Sequence, residues 1–581
     1  MTQTLLEKAT LRNPNTVWCR VIASELAAAD LNSAVLCCGT RSSAMALALH
    51  AHPGIETAIF NDERAGAFFA LGLAKSTGRP AAVCTTSGSA VANLVPALVE
   101  AKACGIPLIA LTCDRPRSVR DAGATQCADH LGICHAVVEG NADLADPVIT
   151  RRALNSLRKQ VGKLLQKLGR ENTRGPIHIN IPLHGELTSM DPDHDWSHPP
   201  DLQSLVGPAV RLQPLPKAES DSTTGPVDKL RLTSGLKGLI VVGPDCPIDV
   251  NLVSAFAEKT GFPVIADAPS GLRRPAKLRN LICNGDLLAA SSSAAQLRPE
   301  LIIRLGGAPV SHSVHRYLRA QPCKVIRIER RPRVRDFLAD QSISLTLPSD
   351  HTVAALAAAL APGDSSWARE WRALDDRVNA LKTTYLSGLP WGDCKAAWMV
   401  CNAPGFDLLH LGNSMAIRHG NLYCAGAEAA QKIMVNRGVS GIDGNIATFL
   451  GELRGIGGRG LLLIGDLAAA HDLTGLEATR LAGLGGAICI MNNGGGALFD
   501  LLSVSEMPDY ERVVRNPMAL DFRAIASAFH IPFKRCTTED ELSASLREAP
   551  HQSYVSIIEM CVPEKSLKSD LPPMLWSITQ T

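Results

Sequence analysis

The stretch GLLLIGDLAAAHDLTGLEATRLAGLGGAICIMNNGGG, beginning at Gly460, constrains the fold more than any other part of the chain. An apolar run closes on Gly465-Asp466. A helix-like stretch follows, and a second apolar run, AICIM, ends in Asn492-Asn493-Gly494-Gly495-Gly496. The pattern predicts strand, crossover helix and strand, with polar residues at the carboxyl ends of two parallel strands. Open parallel sheets take their ligands there. The Asp466 carboxylate, an Asn493 amide oxygen and the carbonyls of a glycine-rich turn form a hard-oxygen donor set. Such a set suits a Mg²⁺ ion that keeps some of its water and shares a diphosphate. A capped helix and a plain loop would leave the same letters, so this motif alone does not decide a function.

A second feature lies far upstream. In GIETAIFNDERAGAFFALGLAK, Glu63 stands between a strand-like run, TAIF, and a helix carrying Ala65, Phe68, Phe69 and Leu71 among small residues. An acid there can serve merely as a helix N-terminal charge, which the helix dipole favours. A chemical role needs a partner that shares a proton with it.

Helix-like and strand-like runs alternate from Thr16 to about Ile181: VWCRVIASELAAAD, SAVLCC, SSAMALALHAH, ETAIF, PAAVCTT, a helix ending near Cys104, IPLIALT and PIHINIPL. This predicts a doubly wound α/β domain. Residues 185–233 are rich in Pro, Asp and Ser and read as a linker. A second α/β unit carries LIVVG, FPVIAD, LIIRLG and KVIRIER. Its GLIVVGPDC lacks the second and third glycines of a dinucleotide fingerprint. HTVAALAAALAPG and the amphipathic SSWAREWRALDDRVNALKTTY read as helices of a connector. A third unit carries DLLHLGNS, GNLYCAG, GLLLIGD, AICIMNN and YVSIIEM, and the tail after about Pro563 is uninformative. At 581 residues, several cores are required. A net charge of +2 with no long basic run argues against a nucleic-acid arm or a membrane-binding face. No apolar stretch is long enough for a membrane span, and the N-terminus lacks a signal-peptide core. Of the 17 cysteines, Cys37, Cys84, Cys113 and Cys489 lie in apolar runs, and no C-x-x-C occurs. They read as reduced core thiols of a cytoplasmic protein.

The two features, in this order, together with NPNTVW, CCGTRSSAMALALHAHP, TTSGSAVANLVPALVEA, LTCDRPRSVRDAGATQ, LGNSMAIRHGN, VNRGVSGIDGNIATFLGE and GDLAAAHDLTGL, resemble one family. It is the 2-succinyl-5-enolpyruvyl-6-hydroxy-3-cyclohexene-1-carboxylate synthases, thiamine diphosphate (ThDP) enzymes of menaquinone biosynthesis. The resemblance covers residues 1–135 and 405–505 best. It implies a pyrimidine-binding domain over 1–190, a linker over 191–233, a central domain over 234–360, a connector over 361–396, a diphosphate-binding domain over 397–565 and a tail over 566–581. It also implies a homodimer or homotetramer whose subunits complete each other's sites.

By the same resemblance, Glu63 bonds N1′ of the aminopyrimidine and favours the tautomer that activates the cofactor. Asp466, Asn493 and the Gly495 carbonyl hold Mg²⁺ or Mn²⁺ with the diphosphate. Ser414, Ile442, Phe499 and Leu502 line the cofactor, and TTSGS lies near the pyrimidine. Plain core packing is the other reading of Ile442, Phe499 and Leu502. The implied substrates, 2-oxoglutarate and isochorismate, are carboxylates that bidentate arginines suit. Thr40, Arg41, Arg115, Gln126, Arg418 and Arg437 are the candidates. The chain departs from the family at three places. Thr40 replaces a serine, Thr125 replaces an asparagine, and His312-Ser313 stand where a Lys or Arg is common. The last leaves open a ThDP decarboxylase or carboligase acting on another 2-oxo acid, resembling acetolactate synthase. A cofactor-free homologue is the remaining alternative, against which intact Glu63, Asp466 and Asn493 argue.

Overall fold

The computed structural model describes residues 13–580 apart from 121, 170–174, 185–234, 245, 247, 275–277, 330–337, 339–341, 347–361, 425–431 and 482. The expected linker over 191–233, and nearly all of the helix expected in HTVAALAAALAPG, lie outside the described residues. Two compact units are present. One gathers the described residues up to 184 with 438–457 and 472–481, and the other holds the rest.

The first unit is built on a six-stranded parallel sheet: β1 (Ser33–Cys37), β2 (Glu56–Phe60), β3 (Ala81–Thr85), β4 (Leu108–Asp114), β5 (Gly140–Asp143) and β6 (Ile177–Pro182). Their order is β2-β1-β3-β4-β6-β5. Every residue of β3, β4 and β6 is buried, which is why these strands read as unbroken apolar runs. The chain turns opposite ways from β1 to its neighbours β2 and β3, so the crevice of the switch point opens where β1 and β3 end. Two helices from distant parts of the sequence pack together in this unit, Glu63–Thr77 and Asn445–Ile456. Gly444 lies against Phe68, Gly451 against Phe69 and Gly455 against Ser76, so the two helices run the same way. A buried Lys75–Glu452 ion pair of 3.5 Å crosses between them.

The second unit holds two more six-stranded parallel sheets. One contains β7 (Gly238–Val242), β8 (Val264–Ala266), β9 (Leu281–Ile282), β10 (Leu301–Leu305), β11 (Lys324–Glu329) and β12 (Ser342–Thr346), in the order β12-β11-β10-β7-β8-β9. The other contains β13 (Leu408–Leu411), β14 (Lys432–Met434), β15 (Arg459–Gly465), β16 (Gly485–Asn492), β17 (Phe533–Cys536) and β18 (Val555–Cys561), in the order β14-β13-β15-β16-β18-β17. The switch between β7 and β10 is stitched shut by its own backbone. Gly243 N–H donates to the Leu305 carbonyl (2.9 Å) and Gly307 N–H to the Pro244 carbonyl (2.7 Å). The switch between β13 and β15 carries Gly412-Asn413-Ser414 on one side and Asp466 on the other.

One apolar cluster joins both sheets of this unit to the helix Ser365–Gly388 through Trp367, Trp371, Val378 and Leu386. The helix Ser566–Thr579 adds Leu567, Leu571, Met574 and Ile578, so the tail that the sequence left unread is part of this core. GNLYC is not a separate run either, for it ends the helix Met415–Tyr423.

Candidate active site

In the first unit, four candidates reach the carboxyl edge of one sheet because they follow neighbouring parallel strands. Thr40 and Arg41 form a short 3₁₀ turn after β1. Glu63 is the first residue of its helix, whose N-cap is the adjacent Asp62, accepting from Arg64 N (2.8 Å) and Ala65 N (3.2 Å). Asp62 thus does the capping that the simpler reading assigned to Glu63. The Glu63 carboxylate instead accepts from Asn93 Nδ2 at 3.0 Å. Arg115 follows β4. Its Nη1 donates to Ser87 Oγ (2.7 Å) and to the Gln126 carbonyl (2.9 Å), while Gln126 Nε2 donates to the Ser87 carbonyl (3.1 Å). Arg115, Gln126 and TTSGS therefore form one knot, and Gln126 holds a left-handed φ of 59° within it. Arg41 Nη1 donates to the Leu183 carbonyl. Burial and the nearby Arg115 push the Arg41 guanidinium below the usual arginine range.

Beneath the knot lies a buried polar layer that carries no sequence motif. His130 Nε2 accepts from Gly88 N (3.2 Å), and its Nδ1 meets Asn180 Oδ1 (2.8 Å). Since Nε2 accepts, the proton sits on Nδ1. The Ile442 loop is pinned on both sides. Glu100 accepts from Gly438 N and Val439 N, each at 2.8 Å, and Asn445 Nδ2 donates to the Ile442 carbonyl at 2.8 Å. Asp472 Oδ2 accepts from Ile446 N (2.7 Å) and Ala447 N (3.0 Å) at the start of the following helix. Ile442 itself is 38% exposed, so core packing does not account for it.

In the second unit, the candidates again follow neighbouring strands. Ser414 has φ 66°, a strained conformation for a residue with a side chain. Its carbonyl accepts from Arg418 Nη1 (2.6 Å), and Arg437 Nη1 donates to Asn413 Oδ1 (3.1 Å). Burial first, and Arg437 second, lower the Arg418 pKa. Asp466, 3% exposed, accepts from Leu467 N (2.7 Å) and Gly495 N (2.9 Å). Burial raises its carboxyl to about 6 despite these bonds.

The NNGGG turn needs glycine where φ reaches 76° at Gly494 and 129° at Gly495. Arg515 braces it from behind, donating to the Asn493 carbonyl (3.1 Å) and the Gly494 carbonyl (3.3 Å). Asn493 Nδ2 donates to Asp393 Oδ2 (2.7 Å), while its Oδ1 is buried with no partner among the described residues. Phe499 is half-buried, and Leu502 is 49% exposed. His312 begins the helix His312–Arg319 after β10, its ring edge-on to His315 at 5.7 Å.

Two sets of residues therefore stand at sheet carboxyl edges. One is an acid with arginines and a loop knot, in the first unit. The other is an oxygen-rich turn with two further arginines, in the second. Among the described residues no cluster of three His, Cys, Asp or Glu side chains could hold a metal. A site made of one carboxylate, one amide and carbonyls is a different donor set, and the orphaned Asn493 oxygen, in the turn whose Gly495 N–H donates to Asp466, fits it. The sequence did not reveal Asn93, Asp393, His130, Asp472 or Arg515. Each acts through a fold contact far away in the chain.

Residues 19–133 match the thiamine pyrophosphate enzyme N-terminal TPP binding domain. Relatives extend across nearly the whole chain. One from Halobacterium salinarum is 32% identical, covering 95% of this chain and 96% of the relative. One from Chloroflexus aurantiacus is 32% identical over 90% and 89%. One from Synechococcus elongatus is 31% identical over 93% and 92%. All three are named 2-succinyl-5-enolpyruvyl-6-hydroxy-3-cyclohexene-1-carboxylate synthase. With identity of this level sustained end to end over three parallel sheets, the chain belongs to the 2-succinyl-5-enolpyruvyl-6-hydroxy-3-cyclohexene-1-carboxylate synthase family of ThDP enzymes.

Proposed function

We propose that this chain decarboxylates 2-oxoglutarate and adds the resulting succinyl unit to isochorismate, giving 2-succinyl-5-enolpyruvyl-6-hydroxy-3-cyclohexene-1-carboxylate in menaquinone biosynthesis. The observation that carries the reading is the sustained identity to synthases of that name. When bound, thiamine diphosphate supplies the carbanion-stabilising chemistry that decarboxylation of a 2-oxo acid requires.

Glu63 would share a proton with N1′ of the bound pyrimidine, and Asn93 fixes the carboxylate that would do so. Asp466, Asn493 Oδ1 and the Gly495 carbonyl would hold Mg²⁺ or Mn²⁺ together with the diphosphate. Burial of Asp466 fits a group whose charge a cation offsets. Ile442, Phe499 and Leu502 would offer the cofactor apolar contact, and Ser414 would line it as well. Arg41 and Arg115, with Thr40 and Gln126 in the first unit, and Arg418 and Arg437 in the second, are the groups that bind substrate carboxylates. Among the described residues, the guanidinium groups of Arg41, Arg115 and Arg418 donate hydrogen bonds only to carbonyl and hydroxyl oxygens, which leaves their charge for an anion. Fixed donors of this kind orient a substrate rather than merely collect it. The three sheets act as the cores of the pyrimidine, central and diphosphate domains. The enzyme works in the cytoplasm as a homodimer or homotetramer. Among the described residues no helix is long and apolar enough to cross a membrane. The acetolactate-synthase-like alternative has only His312-Ser313 in its favour.

The test is an absorbance assay of isochorismate with purified protein, Mg²⁺ and ThDP. Loss that needs both ThDP and 2-oxoglutarate is expected. No loss from a protein that binds ThDP would overturn the substrate assignment and turn the search to other 2-oxo acids.

A further inference from the structure

We propose that Asp393, backed by His419, is a positioning residue that fixes the orientation of the Asn493 amide and so sets the affinity of the centre for its divalent cation. The inference rests on the Asp466–Asn493 centre proposed above. An asparagine amide has two ends of nearly equal size, and only its oxygen can bind a cation. What faces the other end therefore decides whether the residue is a ligand at all.

In this chain the other end faces a carboxylate. Asn493 Nδ2 lies 2.7 Å from Asp393 Oδ2. A carboxylate oxygen only accepts, so the NH₂ must point to Asp393 and Oδ1 must point away. The opposite rotamer would set a carbonyl against an anion inside the protein. Asp393 cannot turn aside, being 1% exposed. Its other oxygen accepts from His419 Nε2 at 2.6 Å, and its backbone N–H donates to Ser566 Oγ at 3.0 Å. His419 is itself held by stacking on Tyr423, with ring centroids 5.4 Å apart at 18°.

The chain His419–Asp393–Asn493 therefore ends at a buried amide oxygen with no partner among the described residues. Leaving such an oxygen unbonded is costly, and the whole chain of contacts makes sense if a cation completes it. Outer partners of this kind orient a ligand and tune its metal.

The experiment measures Mn²⁺ binding to the full chain with ThDP by electron paramagnetic resonance. Alongside it, the Mg²⁺ dependence of ThDP binding is read by tryptophan fluorescence, and turnover is followed as a function of Mg²⁺. Asp393→Asn, whose amide can present either end to Asn493, weakens the cation by about 10- to 100-fold, and turnover recovers at saturating Mg²⁺. His419→Gln keeps an N–H near the Nε2 position and retains tight Mn²⁺ binding, whereas His419→Phe weakens it. That pair decides the matter if Asp393→Asn does not fold by circular dichroism. Asn493→Ala is the reference for a lost ligand. If it weakens Mn²⁺ while the Asp393 and His419 variants bind like the wild type, this inference is overturned alone. If Asn493→Ala also binds normally, the proposed centre itself is wrong.

Discussion

Gly72→Ala tests the packing that brings Glu63 and the Ile442 loop into one unit. The added Cβ would lie 2.2 Å from the Thr448 carbonyl oxygen and 2.8 Å from Glu452 N. Both are backbone atoms of the facing helix, so no side chain can swing clear. Restoring ordinary contact at 3.4 Å requires the helices to part by roughly 1.2 Å. A gap near 1 Å forfeits a quarter to a half of the dispersion energy of the facing atoms, and it stretches the Lys75–Glu452 pair. Overpacking costs about 1–3 kcal/mol and more where backbone must move. Alanine's helix propensity returns about 1 kcal/mol. The expected net loss is about 2 kcal/mol, or about 4–8 °C in apparent unfolding midpoint for a unit of this size. Differential scanning fluorimetry against Gly388→Ala measures it, since a Cβ at Gly388 meets nothing within 4 Å. A Gly72→Ala midpoint equal to that of the control would refute the reasoning.

Four further outcomes are expected. Glu63→Gln abolishes turnover while ThDP still binds by calorimetry, and near-normal turnover would remove Glu63 from its role. Treatment with EDTA releases ThDP and lowers the unfolding midpoint, and Mg²⁺ restores both; ThDP retained without metal would contradict the Asp466–Asn493 assignment. Arg115→Lys keeps the charge but cannot span Ser87, Gln126 and a carboxylate at once, so KM for one substrate rises about tenfold or more with ThDP affinity unchanged; an unaltered KM would count against it.

Asp472 governs a pH effect. Burial raises its carboxyl from 3.8 to about 7. Between those values the folded chain binds more protons than the unfolded chain, so Asp472 makes stability fall as pH rises through that window and adds no further slope above it. Asp472→Asn keeps an acceptor for Ile446 N and Ala447 N, and its midpoint gains on the wild type from pH 5 to 8. Parallel pH curves would show that Asp472 does not titrate as described.

Which parts of the fold the sequence disclosed follows from physical causes. Central strands such as LIALTCD and GGAICIMN are buried on nearly every residue and announce themselves as apolar runs. The edge strands GNAD, LI, KIM and FKRC are short or polar, and they become strands only by pairing with a neighbour. In the tail, Leu567, Leu571, Met574 and Ile578 keep helical spacing, but Pro572 and Pro573 inside the helix masked it. At the candidate site, residues that follow strand ends were legible because parallel topology gathers strand ends. Asp393 and His419 were not, since an aspartate that opens one helix and a histidine within another have no local pattern linking them to Asn493. Likewise, that 438–457 and 472–481 belong with the N-terminal sheet is written in the small residues facing the Glu63 helix, which have meaning only once the two helices meet.

The most direct test of the central claim uses 2-oxoglutarate labelled with carbon-13 in the carboxyl next to the keto group. The protein is given ThDP, Mg²⁺ and isochorismate, and mass spectrometry follows both products. Labelled CO₂ and an unlabelled succinylated cyclohexene are expected in equal amounts, with neither formed by Glu63→Gln. Labelled CO₂ released without consumption of isochorismate would contradict it.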